Sequence, residues 1–153
     1  MAPETVTLIL PDEAATAALG ARLAALARPG DVILLSGPIG AGKSHLARAF
    51  IRARLGRHEE VPSPTFTLIQ TYGPPEDEIF HADLYRLTHP DEVWELGLDE
   101  AFTRAICLVE WPDRLGAHLP PDALRLELSA AGEGRLATLT GGRGVLRKAA
   151  LDV

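Results

Sequence analysis

The chain has 153 residues, 46% of them hydrophobic and 24% charged, with a formal net charge of −6. A chain of this length suits one domain with its own core, and this composition excludes disorder as the overall state. The acidic balance and singly scattered basic residues leave no electrostatic footprint for binding nucleic acid unaided, so any link to RNA is indirect. Thr5 to Leu10 alternates briefly and carries β-branched Thr5, Val6, Thr7 and Ile9, which predicts a short edge strand. Pro11-Asp12-Glu13 then opens a helix. Asp12 suits its N-cap, and Leu19, Leu23, Leu26 and Ala27 recur at helical spacing until Pro29-Gly30-Asp31 stops the pattern.

The apolar run Val32 to Ser36 predicts a buried strand, and Gly37-Pro38-Ile39-Gly40-Ala41-Gly42-Lys43-Ser44 follows it. This stretch fits G-x-x-x-x-G-K-[ST], the phosphate-binding P-loop, in the required place between a strand and a helix. Its glycines let the backbone N–H groups wrap a phosphate where a Cβ would obstruct. Gly37, Ile39, Gly40, Ala41 and Gly42 thus form an anion nest, and the helix from about Lys43 to Leu55 points its N-terminus at the same phosphates. Lys43 adds a mobile full charge and Ser44 a hydroxyl for magnesium. Only Lys43 and Lys148 are lysines among fifteen basic residues, so a lysine at this position stands out.

Beyond Gly56 the pattern departs from repeated strand and helix. Val61-Pro62-Ser63-Pro64 is extended because two prolines deny helix. Thr65 to Tyr72 and Ile79 to Leu84 predict two strands of an antiparallel hairpin around the turn Gly73 to Asp77. Short helical pieces follow at His89 to Leu96 and at Asp99 to Arg104. Ala105 to Val109 predicts a second buried strand; it contains the single cysteine, Cys107, which excludes a disulfide within the chain and suits a reducing cytoplasm. Leu124 to Leu128 and Arg135 to Leu139 predict a terminal hairpin around Ala130 to Gly134. No apolar run is long enough to span a bilayer. The expected fold is α/β: one P-loop NTPase domain over residues 1–140, a central mixed sheet with parallel core strands and antiparallel hairpins, flanked by helices. Residues 141–153 are expected to form a loosely held tail.

A P-loop needs a carboxylate at the end of a second buried strand to position magnesium, and Glu110 directly follows one. Its longer side chain allows it either to bind the ion through water or to orient the attacking water as a general base. Asp83, among apolar neighbours, is costly to bury without a partner, which magnesium, Lys43 or an arginine would supply; otherwise it faces solvent on an edge strand. Thr65 lies where many P-loop hydrolases keep a switch that senses the γ-phosphate, or else it merely opens a strand after a rigid turn. His81 reads as a plain strand residue. Trp111 covers the site or caps the core, and Arg48, Arg52, Arg86 and Arg104 are undifferentiated candidates for stabilising phosphate charge.

These pieces, in order, resemble the bacterial TsaE (YjeE) family. The resemblance spans residues 12 to 128, through Thr16 with Leu19-Gly20, Gly30-Asp31, Gly40-Ala41-Gly42-Lys43-Ser44, Ser63-Pro64-Thr65-Phe66-Thr67-Leu68, His81-Ala82-Asp83-Leu84-Tyr85-Arg86-Leu87, Leu96-Gly97-Leu98 and Val109-Glu110-Trp111-Pro112. The P-loop alone signals only a nucleotide; the ordered combination of the other motifs is far more specific. The resemblance implies ATP, with magnesium, held by Lys43, Ser44 and Glu110, aided by Thr65 and Asp83, and a weak ATPase activity. It further implies an accessory role in tRNA threonylcarbamoyladenosine biosynthesis, beside a heterodimer of TsaB and TsaD type proteins that includes the threonylcarbamoyl transferase. The chain departs from the family at Pro38-Ile39, where an acidic residue and leucine are usual, at Ser44 in place of threonine, and at Ala82 in place of phenylalanine. Two other readings share the P-loop: a small-molecule kinase, which generally carries an acceptor pocket and clustered arginines, and a nucleotide-dependent binding module with incidental hydrolysis. No N-K-x-D guanine signature is present, which favours ATP.

Overall fold

In the computed structural model the described residues are 5–38, 40–56, 61 and 68–149. Seven strands, Thr5–Leu10 (β1), Val32–Ser36 (β2), Ile69–Tyr72 (β3), Ile79–Asp83 (β4), Ile106–Glu110 (β5), Leu124–Ala131 (β6) and Gly134–Gly141 (β7), form one sheet in the order β1-β7-β6-β2-β5-β4-β3. The centre is parallel: β2 pairs with β5 and β6, and β5 with β4. Antiparallel hairpins close both sides, β3 on β4 and β6 on β7, with β1 added to β7 as the edge. The mixed sheet, its parallel centre and its flanking hairpins agree with the expected α/β fold.

Parallel strands covered by helices on both faces have no polar side, which is why β2 and β5 read as continuous apolar runs. Their alternate residues enter different cores. Ile33, Leu35, Ile106 and Leu108 pack with Leu19 and Leu23 of helix Glu13–Leu26 (α1) and with Leu46 and Phe50 of helix Lys43–Leu55 (α2). Val32, Leu34, Cys107 and Val109 pack on the other face with Val93 of Glu92–Glu95 (α3) and with Leu98 and Ala101 of Leu98–Arg104 (α4). Asp12 caps α1 as its sequence predicts, its Oδ1 accepting the Ala15 N–H at 2.8 Å. Gly56, in the left-handed region at φ 70°, ends α2.

Three expectations change. Strand β3 begins at Ile69 because Leu68 has φ 63°, outside the strand region; Thr65, on which that strand was expected to open, lies outside the described residues. Strand β4 is interior, so Asp83 is not on an edge. The segment from Gly141 is not loose over residues 141–149. Gly141 and Gly142, at φ 76° and 67°, turn the chain into a short helix, Gly144–Arg147 (α5), that buries Leu146 and, just beyond it, Ala149. Arg143 fixes this turn by donating to Asp31 from Nε at 2.9 Å and from a terminal nitrogen at 2.6 Å. Desolvation works to raise the Asp31 carboxyl, and the Arg143 hydrogen bonds, the Arg28 N–H and the charges of both arginines together hold that carboxyl below its ordinary range. The sequence alone does not show these anchors, because Asp31 and the core that receives Leu146 lie far away in the chain. No helix among the described residues is long and apolar enough to cross a membrane.

Helices α1 and α2 pack closely, and Gly20 permits it: a Cβ there would lie 2.8 Å from the Leu46 carbonyl oxygen. Gly20→Ala is therefore expected to push the helices apart at a cost of about 1–3 kcal/mol, read as a lowered urea midpoint. An unchanged midpoint would show that the helix spacing is set elsewhere.

Candidate functional site

The C-terminal ends of β2, β5 and β4 lie side by side, and the loop leaving β2 folds over them. Gly37 has φ 142°, and a Cβ there would stand 2.3 Å from the Leu128 carbonyl oxygen, so the backbone of β6 leaves room for glycine alone. The Ala41 N–H donates to the Pro38 carbonyl at 3.1 Å, closing a turn. Gly42, at φ 100°, precedes α2 with no side-chain cap, so the first N–H groups of that helix face the loop's own concavity. Ile39 lies outside the described residues. Lys43 opens α2 and is only 5% exposed. Its Nζ donates to the Gly37 carbonyl and, at 3.3 Å, to that of Pro38, and lies 3.8 Å from the centre of the Trp111 ring. Desolvation lowers its pKa, opposed by the charges of Glu110, Asp83 and Asp113.

Register brings the acids together: Glu110 lies opposite Leu35 on one side and Asp83 on the other. Glu110 is the last residue of β5 rather than the first beyond it, and is 2% exposed. Its Oε1 accepts the Ser44 hydroxyl at 2.9 Å and its Oε2 lies 2.7 Å from His81 Nε2. His81, which reads in the sequence as a plain strand residue, is fully buried here; its spacing of two from Asp83 within the predicted strand puts both on one face. Asp83 is partly buried, with Oδ1 accepting the Tyr85 N–H at 3.1 Å. Desolvation raises the Asp83 pKa and the charge of Glu110 adds to this, while the Tyr85 hydrogen bond and the charges of His81 and Lys43 oppose it. Trp111 turns the chain out of β5 in the left-handed region, at φ 59°, a costly conformation for a bulky residue, and its ring meets that of Tyr85 at a tilt, centroids 5.0 Å apart.

Lys43, Ser44, Asp83, Tyr85, Glu110 and Trp111 line a cavity of about 500 Å³, bounded on its far side by Asp12, Glu13 and Thr16 of the α1 end and by Glu133, Gly134 and Arg135 of the β6–β7 turn. Arg135 escaped the sequence reading. Its guanidinium donates to the carbonyls of Ala41 and Gly40, each at 2.9 Å, and so holds the loop from outside. No local pattern announces a contact between residues so far apart in the chain. Arg48 lines the cavity, whereas Arg104 is taken up at the opposite end of β4 by Glu78 at 3.1 Å and Glu100 at 3.3 Å. Arg52 and Arg86 are not among the lining residues.

The oxygen donors of Ser44 and Glu110, with Asp83 in adjacent register, have the chemistry that magnesium prefers: hard oxygens, few from protein, the remainder left to phosphate and water. Among the described residues no group of three or more His, Cys, Asp or Glu could hold a metal by itself.

The sequence model of a family described as threonylcarbamoyl adenosine biosynthesis protein TsaE matches residues 10–137, a span that includes the P-loop, His81, Asp83, Glu110 and Arg135. A relative from Rickettsia felis named tRNA threonylcarbamoyladenosine biosynthesis protein TsaE is 38% identical over 128 residues, covering 84% of this chain and 75% of its own. Its namesake from Bacillus subtilis is 40% identical over 119 residues, covering 77% and 73%. Among solved structures, Bacillus subtilis YdiB superposes with a TM-score of 0.77 at 27% identity, covering 99% of this chain and 95% of that one. The likeness therefore extends over the whole sheet and not the P-loop alone.

Because burial raises the Asp83 pKa, ionising this carboxyl costs the folded state more than the unfolded chain. The stability it withholds is greatest above its folded pKa and vanishes below the ordinary aspartate value of 3.8. Asp83→Asn, measured without nucleotide or magnesium, is thus expected to melt higher than the parent at pH 7, with the gap closing as pH falls toward that value. A gap that is absent or reversed at pH 7 would show the carboxylate to be stabilised by its neighbours.

Proposed function

The chain belongs to the TsaE family of threonylcarbamoyl adenosine biosynthesis proteins, and from this premise we propose that it is the ATP-hydrolysing accessory subunit of tRNA threonylcarbamoyladenosine formation. The observation that carries the hydrolytic part is the 2.9 Å contact between Ser44, on the first turn of α2, and Glu110, at the end of β5. It brings the phosphate nest and the carboxylate that a magnesium nucleotide needs to one wall of one cavity.

In this reading the backbone N–H groups of Gly40 to Ser44 receive the β- and γ-phosphates, and Lys43 moves from the Gly37 and Pro38 carbonyls to the phosphate oxygens. The exchange replaces neutral acceptors with charged ones, which strengthens each hydrogen bond. Ser44 and Glu110 would hold magnesium, which when bound supplies Lewis-acid stabilisation of the phosphate charge. Asp83, whose raised pKa makes its ionised carboxylate a stronger base, would orient the attacking water and take its proton. Trp111 and Tyr85 shield that side from bulk solvent. Charge stabilisation by an arginine is left to Arg48 or to a partner, which fits weak hydrolysis by the isolated chain. The partner class is the heterodimer of TsaB and TsaD type proteins, with tRNA met only through it and the work done in the cytoplasm.

With purified partner enzymes, tRNA threonylcarbamoylation under multiple-turnover conditions is expected to depend on this chain; equal product without it would sink the assignment. Glu110→Gln is expected to retain nucleotide while hydrolysis falls about a hundredfold or more, with multiple turnover lost in parallel. If that variant supports full modification, hydrolysis is incidental and the chain is a nucleotide-dependent binding module.

A further inference from the structure

We propose that His81 is a positioning residue for Glu110: its Nε2–H fixes one carboxylate oxygen so that the other is presented to Ser44 at the phosphate site. The inference rests on the hydrolytic reading above and assigns to that site a residue that does not line the cavity.

A carboxylate only accepts hydrogen bonds, so Nε2 must be the ring nitrogen that carries hydrogen toward Glu110 Oε2 at 2.7 Å. The other nitrogen, Nδ1, is buried and has no hydrogen-bond partner among the described residues. Packing alone does not explain such a side chain. A leucine would fill similar space at full burial without stranding a polar atom, which costs free energy. What histidine adds is one directed N–H, and it is spent on Glu110.

Glu110 needs that direction. Its side chain has one more rotatable bond than aspartate, and a nearly fully buried carboxylate with only the Ser44 contact would leave Oε2 unsatisfied or rotate to find another donor. Lys43 lies within electrostatic reach, and in this reading the phosphates require it. Held by His81 from β4, the carboxylate spans two strands and one helix, and its free rotation is removed before nucleotide arrives. Such outer contacts set the orientation of the group that meets the ion.

The amide nitrogen of glutamine lies as many bonds from Cα as Nε2 does, and that of asparagine as many as Nδ1. His81→Gln should therefore restore the contact, whereas His81→Asn and His81→Leu should not. Binding of a non-hydrolysable ATP analogue is to be titrated with and without magnesium, alongside ATP hydrolysis and thermal melting. Without magnesium all four proteins should bind alike. With it, the Leu and Asn variants should lose about 10–100-fold in magnesium-dependent affinity, with KM for ATP rising in step and kcat falling, and the Gln variant should stay close to the parent. Gln and Leu variants behaving alike, or a Leu variant with parental magnesium dependence, would overturn the proposal. If His81→Leu does not fold, the contrast between Gln and Asn decides it. A parent that hydrolyses no ATP would defeat the hydrolytic reading, while magnesium-dependent binding would still decide the role of His81.

Discussion

A carboxylate with 2% exposure persists in a fold only if its oxygens are met, and much of this structure follows from meeting those of Glu110. Ser44 meets one oxygen from α2, and His81 meets the other from β4. Both contacts require β5 to lie between β2, which delivers α2, and β4, which delivers the histidine. The sheet order does that. Shifting β4 by one residue against β5 would send His81 to the opposite face and strand the acid. Register, carboxylate and P-loop are thus one constraint seen from three elements.

The same corner holds a buried cation. Lys43 loses hydration and gains two carbonyls, an aromatic face and three acids within electrostatic reach. Burial lowers the Lys43 pKa and raises that of Asp83, so each charge leans on the other. With Glu110 and Asp83 both adjacent, one lysine and a helix terminus would face polyphosphate against two nearby negative charges. A divalent ion between acids and phosphates removes that repulsion, the physical reason that a nest flanked by two carboxylates suits a magnesium nucleotide better than a bare anion.

Much of this was legible from the chain itself. The apolar runs of β2 and β5, the Asp12 cap, the glycine-rich loop and the acid at the end of β5 carry local signals, and each falls where its pattern places it. What stayed hidden was non-local. His81 looks like any polar residue of a short strand until β4 is seen to be interior, and Arg135 needs the whole sheet to reach the loop. The segment after Gly141 misled for a related reason: its glycines signal a turn, but the anchors that hold it, Asp31 and the core around Leu146, lie elsewhere in the chain.

Pro38 brings these threads to the loop itself. The acidic residue usual in the family at this place is absent, and proline contributes no N–H. Its carbonyl nevertheless works, accepting from Ala41 N–H and from Lys43. A fixed φ at Pro38, beside a glycine whose every side-chain alternative would strike Leu128, narrows the conformations from which the turn begins. Arg135 then grips the far half of the turn through the Gly40 and Ala41 carbonyls. The loop is therefore stiffened at its entry by covalent geometry and at its crown by a guanidinium, and both devices act on backbone atoms. The guanidinium draws only on carbonyls and leaves the N–H groups to a phosphate, whereas Pro38 supplies no N–H and its carbonyl engages that of Ala41.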